Sequence, residues 1–451
     1  MKAISFLLLL AVCAPGFTQE PAPDSGPDPV AAAQARARER HAPLLVDFQA
    51  PWCYSCYYMA KNVLNGAEWE RVQREAVVLE LDADSPEGAR WMQAWSVKAL
   101  PSYVMLDAGG QELGRILGEQ TRGDFYPWAF SAIAGGNTLD ALKAKVTDSS
   151  EPSLSAAREV LKTLHARYDA IGGLNWYAAL PPPVRAAVTR DAQSAAWITR
   201  LELQRAAAEK DEAACVKAGK AVLALNLGCE RPYELDKVMA CTGHLPEERR
   251  RELLKPQSEL MQLLLEKRVL SDYRCADERS IVLTAADLQK VLGDTVAESL
   301  ILERAVADVK TRIGDDLKKD RNLADNQRVY LDRAGKLEEL DLLLTQLIAA
   351  WPGDYVYAYR HGKNLAARGQ HAEALPFFEQ AAAKAYGVNR LHNAELRARS
   401  LQALDRVDDA RQVLGEALQA NGPWFPEAAE KLKALLAELA PAPAAVAPAA
   451  S

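Results

Sequence analysis

The sequence has no surplus of basic residues: 54 Lys and Arg stand against 61 Asp and Glu, for a net charge of −7. Phosphate backbones are met by clustered Lys and Arg, so this balance argues against a nucleic-acid partner. Histidine is scarce, with 6 in 451 residues, and apart from His244, which lies near Cys241, none has a partner at ligand or nucleophile spacing. Without paired histidines or a second CxxC, a metal frame is missing as well, and nothing implies a cofactor. No run reaches the ~20 apolar residues that a membrane span requires. From Leu154 to about Leu439 the alternation of strands is absent too. Ala, Leu and charged residues recur there at three- and four-residue spacing, which predicts helix throughout.

What is present begins with Met1-Lys2-Ala3 and the apolar run Ile4 to Val12, followed by small residues at Ala14 and Gly16. A basic start, a short apolar stretch and small residues predict an export signal over residues 1–19. A Pro- and acid-rich leader follows over 20–29. The segment Leu10-Ala11-Val12-Cys13 resembles a lipoprotein cleavage box. Val12 is bulkier than the residue usual there, so Cys13 is expected to leave with the signal, and lipid anchoring is the alternative. Six cysteines then remain: Cys53, Cys56, Cys215, Cys229, Cys241 and Cys275. An even number in an exported chain suits an oxidising compartment, periplasmic or secreted.

Two of these close the most informative stretch. Leu44 to Gln49 is an apolar run of strand length, and Ala50-Pro51 turns into Trp52-Cys53-Tyr54-Ser55-Cys56. A helix is expected from Cys53 to about Arg74, which places Cys53 at its N-terminus. Unpaired N–H groups and the positive dipole end favour an anion there, so the thiol ionises readily and its thiolate is the nucleophile. Cys56 lies one turn on and can resolve a mixed disulfide. Asp47, in the strand below, could move a proton to or from Cys56. An inert structural disulfide is the alternative for the pair, and a buried carboxyl satisfied by backbone is the alternative for Asp47.

The segments that follow predict a strand over 76–81, a helix over 86–95, strands over 102–106 and 113–117, and a helix over 124–133. This order, βαβ then ββα around a CxxC, resembles the thioredoxin fold. Asp47 stands where thioredoxins carry a buried carboxylate, and Trp52 matches the tryptophan before the first cysteine. Leu100-Pro101-Ser102 matches the apolar-Pro-Thr/Ser element, and Gly118 a glycine after the last strand. With Asp82-Ala83-Asp84 leading into an extra helix, the stretch of about residues 30–135 looks most like the C-terminal periplasmic domain of DsbD-type reductases. The resemblance implies a cis bond before Pro101 opposite the disulfide, apolar cover by Trp52, and protein thiols or disulfides as substrate. Two departures stand out: no strand precedes the first helix, and Tyr57 replaces a lysine found in many relatives. Tyr54-Ser55 matches neither strongly reducing nor strongly oxidising relatives, so the direction of electron flow stays open, with the resemblance leaning to reduction.

The polar stretch Thr147 to Ser153 predicts a boundary, giving a thioredoxin-like domain over 30–146 and a helical domain over 154–325. Thr284-Ala285-Ala286-Asp287 reads as a helix start. Leu340, Ala374 and Ala410 lie 34 and 36 residues apart and each opens a similar helix. Gly362, Ala374, Phe378 and Ala381 fall at the spacings of a tetratricopeptide repeat, with Pro352 before them, so residues 326–435 resemble such repeats. Residues 436–451 read as an Ala/Pro tail. The charged run Glu247 to Glu252 reads as a solvated helix face, and Trp91 and Trp95 as packing. Cys215, Cys229, Cys241 and Cys275 predict structural disulfides in one of three pairings, Cys229 and Cys241 being near enough in sequence for a loop staple. A zinc site with His244, or a second redox pair, are the alternatives. The function expected is an exported thiol–disulfide oxidoreductase whose helical repeats dock a partner or substrate protein. The alternative is a non-enzymatic periplasmic scaffold or chaperone in which the helical repeats bind a partner and the thioredoxin-like unit is structural.

Overall fold

The structure, a computed structural model, describes residues 28–271 and 275–439. The expected signal, Cys13, most of the leader and the Ala/Pro end lie outside them. Helix α1 (Pro29–Arg40) starts within the expected leader because Pro29 suits a first turn and the Asp28 carboxylate accepts from the Val30 N–H at 3.0 Å. Arg38 and Arg40 sit in its last turn, and His41 leaves it in the left-handed region.

Four strands form one sheet in the order β2-β1-β3-β4: β1 (Leu44–Gln49), β2 (Val77–Asp82), β3 (Ser102–Leu106) and β4 (Glu112–Leu117). β1 is central, parallel to β2 and antiparallel to β3, so Asp47 lies between Glu80 and Tyr103. Successive side chains of a strand point to opposite faces, and the sheet is covered on both. Leu44, Val46 and Phe48 pack with Val30, Ala33 and Ala37 of α1. Leu45 packs on the other face with Met59, Trp69, Tyr103 and Phe125. Asp47 shares that second face with Leu45.

The long helix expected over 53–74 is two helices, α2 (Tyr54–Asn62) and α3 (Gly66–Glu75). Gly66 takes a φ of +72°, which glycine adopts without a Cβ penalty, and the chain turns there. The turn holds because its carbonyls find donors far along the chain. Arg122 Nη1 reaches Val63 O and Asn65 O, each at 3.1 Å, and the Tyr126 hydroxyl donates to Val63 O. Helices α4 (Pro86–Ala94) and α5 (Arg122–Ile133) complete the unit, capped by Ser85 and Thr121. Trp91 and Trp95 meet at a tilt with centroids 4.6 Å apart, and Trp95 meets Phe48 edge-on. Both serve packing.

Beyond α5 the described residues form helices and no strand. The expected boundary is already helical at its end: Ser153 lies in the first turn of Glu151–Ala166, where its hydroxyl accepts from the Thr147 and Asp148 N–H groups. Thr284 does not start a helix. It lies inside Glu278–Leu292, whose cap is Asp277 accepting from Ser280 N–H at 2.9 Å; the true cap stands seven residues earlier in the chain. Leu340, Ala374 and Ala410 are fully buried, each at the fourth position of its helix, Leu337–Ala350, His371–Ala382 and Val407–Asn421. Gly362 lets Val356–Ala367 approach the Phe378 ring so closely that a Cβ would sit 2.9 Å from it. The last helix, Pro426–Glu438, runs into the stretch expected as tail, because Leu432 and Leu435 bury against Leu414 and Leu391.

The middle cysteines pair as Cys215–Cys241 and Cys229–Cys275, with Cα atoms 6.0 and 5.5 Å apart. The Cys229–Cys241 staple is therefore not formed. Cys215 lies on Glu212–Leu223 and Cys241 ends Arg231–Cys241, two helices packed together, whereas Cys229 sits in the short turn Gly228–Glu230. With both thiols of the suggested zinc site in disulfides, that reading is overturned. No helix among the described residues is long and apolar enough to cross a membrane.

Candidate active site

The turn after β1 places Cys53 as the N-cap of α2, with its Sγ accepting from the Cys56 N–H at 3.1 Å. Here Cys53 and Cys56 form a disulfide, with Cα atoms 5.2 Å apart. Cys56 lies deeper along the helix and is expected to be shielded; Cys53 is shielded as well. Cys53 is 3% exposed and Cys56 7%, both packed with Ala50, Ala83, Met92 and Leu100.

Trp52 is 39% exposed, and its indole N–H donates to Asp84 Oδ2 at 2.8 Å. Asp84 in turn is nearly buried, and burial pushes its carboxyl up to about 6, against the Asn389 and Trp52 hydrogen bonds that favour the charged form. The acidic segment after β2 thus fixes the ring beside the disulfide. Pro101 follows a cis bond, and its carbonyl accepts from the Gly118 N–H at 2.8 Å. This ties the proline turn to the end of β4 while Leu100 rests against the cysteines.

Asp47 is 4% exposed, and its Oδ1 has no hydrogen-bond partner. Burial first, and the Glu80 charge across the β1–β2 ladder second, push its carboxyl up to about 8. A cleft beneath α2 is lined by Asp47, Cys56, Trp69, Glu80 and Tyr103. The carboxyl therefore faces the same small space as the second cysteine, uncharged at neutral pH and able to exchange a proton. All five residues expected at the site, Cys53, Cys56, Asp47, Pro101 and Trp52, come from β1, the turn after it, α2 and the turn before β3.

Other side chains at the site carry no local signal in the sequence. Glu119, after Gly118, is buried and hydrogen-bonded with Ser55; burial pushes its carboxyl well above the usual range. The remaining ones come from the distant helices. The Arg279 guanidinium lies 3.4 Å from the centroid of the Tyr54 ring, and Arg321 lies 4.3 Å from that of Tyr57. Asn322 donates to Tyr54 O at 2.9 Å, and Arg360 to Trp52 O at 3.0 Å. Outside the site the two parts also meet at the end of β2, where the Tyr386 hydroxyl donates to Asp82 and the Val388 N–H to Asp84 O at 3.3 Å. Among the described residues no group of His, Cys, Asp and Glu could hold a metal ion.

Residues 30–132 match the family model described as a thioredoxin-like domain. The chain is also similar to a protein named thiol:disulfide interchange protein DsbD from Cronobacter sakazakii, 30% identical over 89 residues, covering 19% of this chain and 16% of that protein. A DsbD from Yersinia enterocolitica is 30% identical over 81 residues, 18% of this chain and 14% of its own length. The chain thus spans about a sixth of the curated relatives it matches. The N-terminal α/β unit is thioredoxin-like, and the long helical part lies outside the family match.

Proposed function

We propose, from the thioredoxin-like domain over residues 30–132, that this protein is an exported thiol–disulfide oxidoreductase acting on protein thiols and disulfides. The observation that carries this reading is the Cys53–Cys56 disulfide at the N-terminus of α2, above an unpartnered Asp47 carboxyl in the same cleft. In the reducing direction, the Cys53 thiolate attacks a substrate disulfide. One substrate sulfur leaves as thiolate, and a Cys53–substrate bond forms. Asp47 first releases its own proton to solvent; its carboxylate then takes the Cys56 proton, and Cys56 attacks Cys53 Sγ. The second substrate thiolate leaves, and the Cys53–Cys56 disulfide closes. Two electrons have passed to the substrate, and a thiol donor must return them.

Direction is assigned to reduction on the similarity to DsbD alone. The disulfides Cys215–Cys241 and Cys229–Cys275 support an oxidising compartment outside the cytoplasm. We assign the helical region to docking a partner or substrate protein. One face of it, including Arg321–Arg333 and the start of Gly387–Ala403, is already engaged by the thioredoxin-like unit. A partner is therefore received on the surfaces that remain. Equilibrating the full chain in glutathione buffers of graded poise, with alkylation and mass measurement, tests the reading. Cys53–Cys56 should interconvert between disulfide and dithiol within the biological range, and Cys53→Ser should abolish it. A pair that stays oxidised at every poise contradicts it.

A further inference from the structure

The redox loop and the helical region are joined by one continuous set of polar contacts, buried at its centre and open to solvent where Arg360 meets Trp52. Asn322 donates to Tyr54 O, and its own side-chain oxygen accepts from Asn326 Nδ2 at 3.4 Å. Asn326 Oδ1 accepts from Arg279 Nε at 2.7 Å, and Arg279 Nη2 donates to Asp325 Oδ2 at 2.6 Å. Arg360 bonds Asp325 with one nitrogen and Trp52 O with another. A path that leaves the loop at Tyr54 thus returns to it at Trp52, enclosing Cys53 between its two ends. Arg279, Asn322, Asp325 and Asn326 are buried. Groups so placed are held by their partners and cannot reorient freely.

The charges in this set are unequal. The Asp325 carboxylate is fully buried and shared by Arg279, Arg328 and Arg360, which leaves an excess of positive charge against the loop. Other ionisable groups face the same place. Burial drives Glu119 toward its uncharged form, and Asp277 accepts from Tyr233 and Ser280. Asp84 is held by the Trp52 indole. Arg321, over Tyr57, is paired with Asp354. We infer that Arg279, Asn322 and Arg360 are positioning residues of the redox site: they hold the Trp52–Tyr54 backbone and stabilise the Cys53 thiolate. The helical region is then the second half of the active site. This rests on the thiol–disulfide reading above.

The test uses the full chain. In a Cys56→Ser background, the pH dependence of iodoacetamide alkylation at the Cys53 peptide, read by mass spectrometry, gives the ionisation constant of Cys53. Arg360→Gln and Arg279→Gln should each lower that constant about tenfold, one pKa unit. Arg360→Lys keeps the charge and should stay within about twofold of the parent by the same scale. Tyr386→Phe loosens the contact at Asp82 without touching the cysteine loop, and should also leave it there. With both cysteines present, two glutathiones reduce the disulfide, giving the dithiol and one glutathione disulfide. Weaker thiolate stabilisation favours the closed disulfide, so that equilibrium should shift about tenfold toward it, about 30 mV.

Unchanged Cys53 ionisation in Arg360→Gln, with an unchanged circular dichroism spectrum, overturns the inference. So does an equal shift in Tyr386→Phe, which marks a general loss of docking. Should Arg279→Gln fail to fold, because it strips a partner from buried Asp325, Arg360→Gln carries the test alone. A parent that never exchanges with glutathione, yet shows the alkylation shifts, overturns the oxidoreductase reading and supports this one.

Discussion

Replacing Asp47 with Asn should make the protein more stable and a slower catalyst. Asp47 titrates near 3.8 when solvated and at about 8 in the fold. Between those values the folded state holds a proton that the unfolded state has released. Stability therefore falls as pH rises through that window, by about 1.4 kcal/mol per unit, and levels off above the folded value. At pH 7 the accumulated cost is on the order of 4 kcal/mol, an upper figure for one buried carboxyl. Asn keeps the shape and cannot ionise. In denaturant titrations, Asp47→Asn and wild type should coincide near pH 4 and separate progressively to about pH 8. Disulfide exchange by Asp47→Asn should meanwhile fall by about 10²-fold or more, the usual scale of a lost acid–base group. A stability difference that does not change with pH would refute the assignment of a buried, protonated Asp47. An unchanged exchange rate would remove its role as proton carrier.

Two further outcomes follow from the helical part. Cys215→Ser with Cys241→Ser opens a disulfide spanning 26 residues and should cost about 3.5 kcal/mol by loop-closure entropy, seen as a lower denaturant midpoint. Glutathione exchange at Cys53 should persist; its loss would make this pair a redox relay. Gly362→Ala should destabilise by about 1–3 kcal/mol, because its Cβ would press on the Phe378 ring. Gly415→Ala, in open space on Val407–Asn421, should stabilise by about 0.5–1 kcal/mol. Equal effects of the two alanines in thermal melts would show that the Gly362–Phe378 contact is not tight.

The parts of this fold that can be read along the chain are those set by local pattern. Leu44 to Gln49 is apolar enough to be a central strand, and Cys53 follows directly from the turn after it. Pro101 and Asp47 became legible through resemblance at matching positions. What the sequence hides is set by distant partners. The break at Val63 depends on Arg122 and Tyr126, whose donors replace the helical bonds lost there. Thr284 has the look of a helix cap, but Asp277 had already opened that helix. Cysteine pairing followed which helices pack, so the pair nearest in sequence after the CxxC, Cys229 and Cys241, was not joined. The arginines around Tyr54 and Tyr57 come from residues more than 200 positions away, where nothing local marks them.

The proposed exchange requires Cys53 to be the attacking sulfur. Incubating the full-length Cys56→Ser protein, with its two other disulfides intact, with glutathione disulfide and mapping adducts by mass spectrometry addresses it directly. One glutathione per chain is expected, on the peptide containing Cys53, with none formed when Cys53→Ser is added. A chain that stays unmodified, or that carries glutathione on any other cysteine at the same rate, would contradict it.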